Sequence, residues 1–159
     1  MGDVSRAGQI RWIDMLAWLT TIWGRALPAD SPAGRMLARL EPYRTDRLPP
    51  VKGVARGYRI QSVSFRLRAR LSDTGAVVIQ GLAAELPCHG EGTAAMRKIC
   101  GIADACGAVL ILDARPYATA AVADPMLRAD LAAWYGRFGF LPTGKSGMRR
   151  DPLAREPAA

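Results

Sequence analysis

The spacing of apolar residues changes near Tyr58, and that change limits the fold more than any other feature. In SVSFRLRARL, Val63, Phe65, Leu67, Ala69 and Leu71 alternate with Ser64, Arg66, Arg68 and Arg70, the period of a strand with one buried face. Ser72-Asp73-Thr74-Gly75 is a turn and AVVIQGLAAEL a second strand, so the two form a hairpin. A glycine-bearing loop, CHGEGT, follows Pro87 and leads into a helix, AAMRKICGIADAC, stopped by Gly107. AVLILDA then reads as a continuous apolar strand, the kind buried on both faces. After the loop RPYATAAVADP, Leu127, Leu131, Trp134, Tyr135 and Phe138 recur at helical spacing. Strands alternating with helices make the chain α/β.

Helices precede this region. Ile10, Trp12, Ile13, Leu16, Leu19, Ile22 and Trp23 give residues 9–27 a broad apolar face, ending before Pro28. Arg11 and Asp14 interrupt that face, leaving an apolar run far short of the roughly 20 residues that span a bilayer. The segment has no basic start or evident cleavage site, and Arg6 stands where a myristoylation signal needs Ser or Thr. Its Trp-rich face suits core packing or a homodimer contact, with docking to a membrane surface or another partner as the remaining use. Ser31 can cap a second helix, with Pro32 at its first position and Met36, Leu37 and Leu40 facing inward. EPYRTDRLPPVKG is a connector. The 159 residues suggest one domain, with an N-terminal helical arm and connector (1–55), a core (56–152) and a tail (153–159).

The net charge is +8 and the isoelectric point about 10.1. Such a balance suits a polyanionic partner: nucleic acid, a membrane surface or a phosphate-rich cofactor. Arg66, Arg68 and Arg70 form a stripe that is either a solvated face or a guide for an anion. Cys88, Cys100 and Cys106 form no CxxC, and His89 is the single histidine, which argues against a metal site. An odd, unpaired set of cysteines fits a reducing cytoplasm. Cys88 and His89 are adjacent, and neighbours in extended chain point apart, which disfavours a nucleophile pair.

Gly139, Gly144, Lys145 and Ser146 satisfy the nucleotide-binding pattern G-x-x-x-x-G-K-[ST]. A P-loop follows a buried strand and opens a helix. Here a helix precedes Gly139, and GMRRDPLAREPAA is too short and too rich in breakers to supply what must follow. The pattern therefore reads as a turn at Gly139, a short strand FLPTG, a turn over Lys145–Gly147 and a last strand near Met148.

Strand, glycine loop, helix and buried strand together make an anion-binding arrangement. Gly90 and Gly92 let backbone amides turn inward, and the helix adds its N-terminal amides and dipole. A pyrophosphate would fit. A dinucleotide fold is the rival, but HGEGT is not G-x-G-x-x-G and no repeated strand–helix units surround it.

With these residues in view, the chain resembles the GNAT superfamily of acyl-CoA-dependent N-acyltransferases. His89-Gly90-Glu91-Gly92-Thr93-Ala94 is similar to the family signature Q/R-x-x-G-x-G/A, with histidine in place of Gln or Arg. Glu85-Leu86-Pro87 resembles the strand end before that signature, and Trp134-Tyr135-Gly136-Arg137-Phe138-Gly139-Phe140 resembles the family's aromatic-Tyr-x-x-x-Gly-Phe. The closing FLPTGKSGMRRDP looks like the last two strands of phage-type members. The likeness spans roughly residues 58–152. Three features depart from the pattern: helices stand where the family's first strand usually is, His89 replaces Gln or Arg, and Arg128 is near the place of an Asn that many members carry.

The resemblance implies a mixed, mostly antiparallel sheet flanked by helices, here with an extra N-terminal helical segment. It implies acetyl-CoA as co-substrate, no metal, and an amine acceptor. Amides of His89, Gly90, Glu91, Gly92, Thr93 and Ala94 would hold the pyrophosphate, and the strand edge at Ala84–Leu86 would pair with pantetheine. Tyr135 would protonate the leaving thiolate; a free tyrosine, with a pKa near 10, carries that proton at neutral pH. Glu85 is the candidate base. The alternative is a basic nucleic-acid-binding or virion-associated module without catalysis.

Overall fold

The computed structural model describes residues 27–46, 55–70, 73, 75–85, 89–116 and 127–154. Six strands, β1 (Arg56–Ile60), β2 (Val63–Ala69), β3 (Ala76–Ala84), β4 (Val109–Asp113), β5 (Leu141–Pro142) and β6 (Gly147–Arg150), form one sheet in the order β1-β2-β3-β4-β6-β5. β3 and β4 run parallel and the other neighbours antiparallel. The helices α1 (Pro32–Leu40), α2 (Glu91–Cys106) and α3 (Arg128–Gly136) flank the sheet. The mixed, mostly antiparallel sheet is the expected class and is compatible with a GNAT-like fold. The expected N-terminal helix lies outside the described residues, save Leu27, which is buried irregular chain.

Local chemistry explains the helix limits. Pro32 opens α1, and the Ser31 hydroxyl accepts the Gly34 N–H at 3.1 Å, satisfying one orphan donor of the first turn. Met36 and Leu40 are fully buried, as their spacing predicts, and Leu37 packs at the margin. α2 begins at Glu91, three residues ahead of the expected start, because the Ala94 N–H already donates to the Gly90 carbonyl at 3.0 Å. Its buried stripe is Ala95, Met96, Ile99, Cys100, Ala103 and Cys106. At the far end, Arg35 of α1 donates to the Cys106 carbonyl at 2.7 Å, one of the acceptors a helix C-terminus leaves open.

Two strand expectations change. A strand precedes the expected hairpin: β1 turns through Gln61 and Ser62, with Gln61 at φ 55°, and Tyr58 pairs with Phe65 across it, ring centroids 5.8 Å apart. β4 is not buried on both faces. Leu110 and Leu112 point into the core with Met36, Leu40, Ile99 and Ala103, while Val109 and Ile111 are half-buried on the other side, because α1 and α2 cover one face of the sheet.

The segment bearing the nucleotide-binding pattern is a helix end, two short strands and a turn. Gly139 follows α3, Thr143 donates to Gly147 at 2.9 Å, and Lys145 sits exposed between β5 and β6. No helix follows Lys145 among the described residues, so the amides of a P-loop are missing.

Candidate functional site

The parallel pair holds together for only part of its length. Its register runs from Ala76↔Val109 to Ile79↔Leu112; beyond that, Asp113 pairs with Gly147 of β6, and the end of β3 pairs with β2 alone. The cause is a bulge. Arg66 faces Gln80 and Ser64 faces Ala83, so Gly81 and Leu82 together stand opposite Phe65, with Gly81 at φ 61°. A left-handed glycine in a bulge bends its strand and increases the local twist. β3 thereby leaves β4, and among the described residues the β4-facing edge of Gly81–Ala84 has no strand partner. An edge of this kind offers N–H and C=O groups to an extended polar chain. An isolated glycine within a strand, as in VVIQGLAA, is the signal that could have located the bulge.

The start of α2 lies just beyond the end of β3. Gly90 is its cap, at φ 79°; among the described residues no side chain caps the helix, and a Cβ on Gly90 would meet nothing within 4 Å. Glu91, Gly92, Thr93 and Ala94 are its first turn rather than loop, so the amide cradle expected from the sequence is a helix N-terminus with its dipole. Glu91 accepts a hydrogen bond from the Ser62 hydroxyl, which ties it to the β1–β2 turn. His89 is exposed.

α3 closes the other side. Tyr135 is buried at its last turn, with ring centroids 4.9 Å from Trp134 and 5.7 Å from Phe140. Trp134 also meets Phe138 edge-on at 5.0 Å. The same tryptophan lies over the first turn of α2: a Cβ on Gly92 would be 3.8 Å from its Cζ2. The structure thus brings the Gly90–Ala94 turn beside the Trp134-Tyr135 end of α3.

The β3 end is held differently from expectation. Ala84 is the half-buried last residue of β3, and Leu86 lies outside the described residues. Both carboxylate oxygens of Glu85 are taken by Arg59, at 2.5 and 2.9 Å, and its N–H donates to Ser62 at 3.0 Å. Sequence reading missed Arg59 and Ser62, whose roles depend on the register of β1, the strand that the alternation concealed.

Among the described residues, no three His, Cys, Asp or Glu side chains group to hold a metal ion, and no helix is long and apolar enough to cross a membrane. No family model and no curated protein matches the chain. Among solved structures it is similar to the crystal structure of anti-CRISPR protein AcrVA5, with a TM-score of 0.48 and 15% identity, covering 61% of this chain and 98% of that one.

Proposed function

We propose that this protein is an acyl-CoA-dependent N-acyltransferase that moves an acetyl group from acetyl-CoA to an amine. What carries the reading is the mouth where β3 leaves β4: a strand edge with no strand partner among the described residues leads to a glycine-started helix, and the end of α3 that carries the buried Tyr135 meets the first turn of that helix through Trp134. The residues fit the co-substrate. The edge of Gly81–Ala84 suits the amides of a pantetheine arm, and the open space at Gly90 with the first-turn amides of α2 suits a pyrophosphate.

An acceptor arriving as ammonium gives one proton to Glu85. With Arg59 on both oxygens of Glu85, that proton travels through water. The neutral nitrogen then bonds to the thioester carbonyl carbon as the C–S bond breaks. Tyr135 gives its phenolic proton to the departing sulfur, and the second nitrogen proton returns to the tyrosinate. Much of the rate comes from holding amine and thioester together.

Melting in the presence of acetyl-CoA tests this. Ligand at about a hundred times its Kd adds roughly 2.7 kcal/mol to the folded state. No shift with millimolar acetyl-CoA or CoA overturns the reading, and an acyl-CoA copurified and detected by mass spectrometry supports it.

A second reading has its own observation. The register places Arg68, Val78, Ile111 and Arg149 side by side across one face of the sheet, with both arginines exposed. That face suits a nucleic-acid backbone, and such binding would fall steeply with salt.

A further inference from the structure

We infer that Arg150 positions Tyr135 for proton transfer, acting through the carbonyl of Phe138; this rests on the reading of Tyr135 as the acid. Arg150 ends β6 and is 4% exposed. A charge buried so far is costly unless its donors are met. Its Nη1 and Nη2 donate to Oδ1 and Oδ2 of Asp104, in α2, at 2.7 and 2.8 Å, and its Nε donates to the Phe138 carbonyl at 2.7 Å. Asp104 also accepts the Leu153 N–H at 2.9 Å.

The bond to Phe138 is the one that reaches the site. The Phe138 N–H donates to the carbonyl of Tyr135 itself at 2.9 Å. Phe138 is therefore held from both sides, by Tyr135 through its N–H and by Arg150 through its C=O. Gly139 follows at φ 87°, and a Cβ there would come within 3.7 Å of the Arg150 Nε, so the chain passes close over the guanidinium. Phe140 then packs its ring on Tyr135. One side chain thus joins α2, which supplies the anion cradle, to the turn that fixes the tyrosine. Lysine cannot copy it, since one ammonium cannot reproduce both the planar fork and the separate Nε donor.

Arg150→Lys and Tyr135→Phe, singly and together, test the inference. In an otherwise wild-type chain, Tyr135→Phe should lower kcat by about 10²-fold. Arg150→Lys should lower it by about tenfold with the KM for acetyl-CoA nearly unchanged, as expected for a displaced catalytic group. In the Arg150→Lys background, Tyr135→Phe should then cost less than about tenfold, since the two substitutions remove one function. A full 10²-fold loss in both backgrounds would make Arg150 only a brace. A second readout needs no activity. With 3-fluorotyrosine in all four tyrosines, the ¹⁹F resonance that Tyr135→Phe deletes should move in Arg150→Lys while that of Tyr58 stays; an unmoved Tyr135 resonance overturns the inference. If Tyr135→Phe leaves transfer intact, the acid reading fails and the resonance alone decides whether Arg150 sets the ring. Should Arg150→Lys not fold, Asp104→Asn keeps the guanidinium but weakens the fork, and the same measurements should move the same way by less; no movement there counts against the inference.

Discussion

Gly92 and Trp134 meet where the first turn of α2 passes beside the end of α3, at the distance an ordinary van der Waals contact allows, 3.8 Å from a Cβ on the glycine to Cζ2 of the indole. Alanine therefore fits at position 92 and a long side chain does not. Gly92→Ala should melt at or above the wild-type temperature, since alanine is up to about 1 kcal/mol better than glycine within a helix, and should keep its shift with acetyl-CoA. Gly92→Leu must push Trp134 aside or enter the mouth. It should retain native circular dichroism and lose the ligand shift. Thermal melts with and without acetyl-CoA check both, and a leucine variant that binds like wild type would move the cradle elsewhere.

Tyr135→Phe should fold and bind acetyl-CoA nearly as well as wild type, because the ring keeps its edge contacts with Trp134 and Phe140. Under the proposed acyl transfer, the lost hydroxyl matters only as charge gathers on the sulfur, a transition-state interaction. A thiol leaving group with a pKa near 8.5, taking cysteine as the guide, departs fairly well unaided. The expected loss is about 10²-fold in kcat, or about 2.7 kcal/mol of barrier. Steady-state rates need an acceptor first, found by screening amines, peptides and polyamines. An unchanged kcat, measured where chemistry is rate-limiting, assigns Tyr135 to packing.

How far the sequence could be read depended on distance along the chain. Ser31-Pro32 announced α1 because a cap and a first-turn proline are local signals. Gly107 ended α2 for the same reason. The β1–β2 turn escaped because Gln61 takes positive φ without being Gly, Asn or Asp. Arg59 and Glu85 are 26 residues apart and Arg150 and Asp104 are 46 apart, so each pairing exists only once the register is known. In GMRR, Met148 sets the phase: it points inward, Arg149 outward and Arg150 inward again. The alternation is visible, but nothing local says that a half-buried acid on α2 waits for the second arginine.

Lys145 lies in an exposed turn between two strands. Lys145→Ala should leave the melting temperature within the small range of ordinary surface changes, about 0.5 kcal/mol. Calorimetry with ATP or GTP and magnesium should show no binding to the wild type. Tight binding that this substitution abolishes would restore the P-loop.

Asp104 gives the acid limb of stability. Burial pushes its carboxyl up, but the hydrogen bonds from Arg150 and the Leu153 N–H, with the Arg150 charge, outweigh this and hold it below the usual range. The unfolded chain then takes up the proton first as pH falls. The contribution is present above the unfolded value, about 3.9, and is lost as pH drops through the lower folded one. Asp104→Asn should be less stable at pH 7 and show a shallower decline below about pH 4. Urea midpoints across pH 3–7 test it, and parallel curves for the two proteins would mean that the carboxylate is not held.

Tyr58 gives the alkaline limb, with the opposite sign. Its side chain is fully buried and its hydroxyl has no hydrogen-bond partner among the described residues. Burial pushes the phenol up to about 12, against the opposing charge of Arg56. Unfolded, the group titrates near 10, so its contribution is intact below that pH and is lost as pH rises from about 10 towards the folded value. Phenylalanine keeps the ring that stacks on Phe65 and removes the unmet hydroxyl. An unsatisfied buried polar group costs about 1–3 kcal/mol. Tyr58→Phe should therefore gain about 1 kcal/mol at pH 7, about 2–4 °C in Tm for a chain of this size, and should lose less stability than wild type between pH 10 and 12. A destabilised variant would reveal a partner for the hydroxyl and reverse the assignment, because a met hydrogen bond, once removed, costs stability at every pH below the titration.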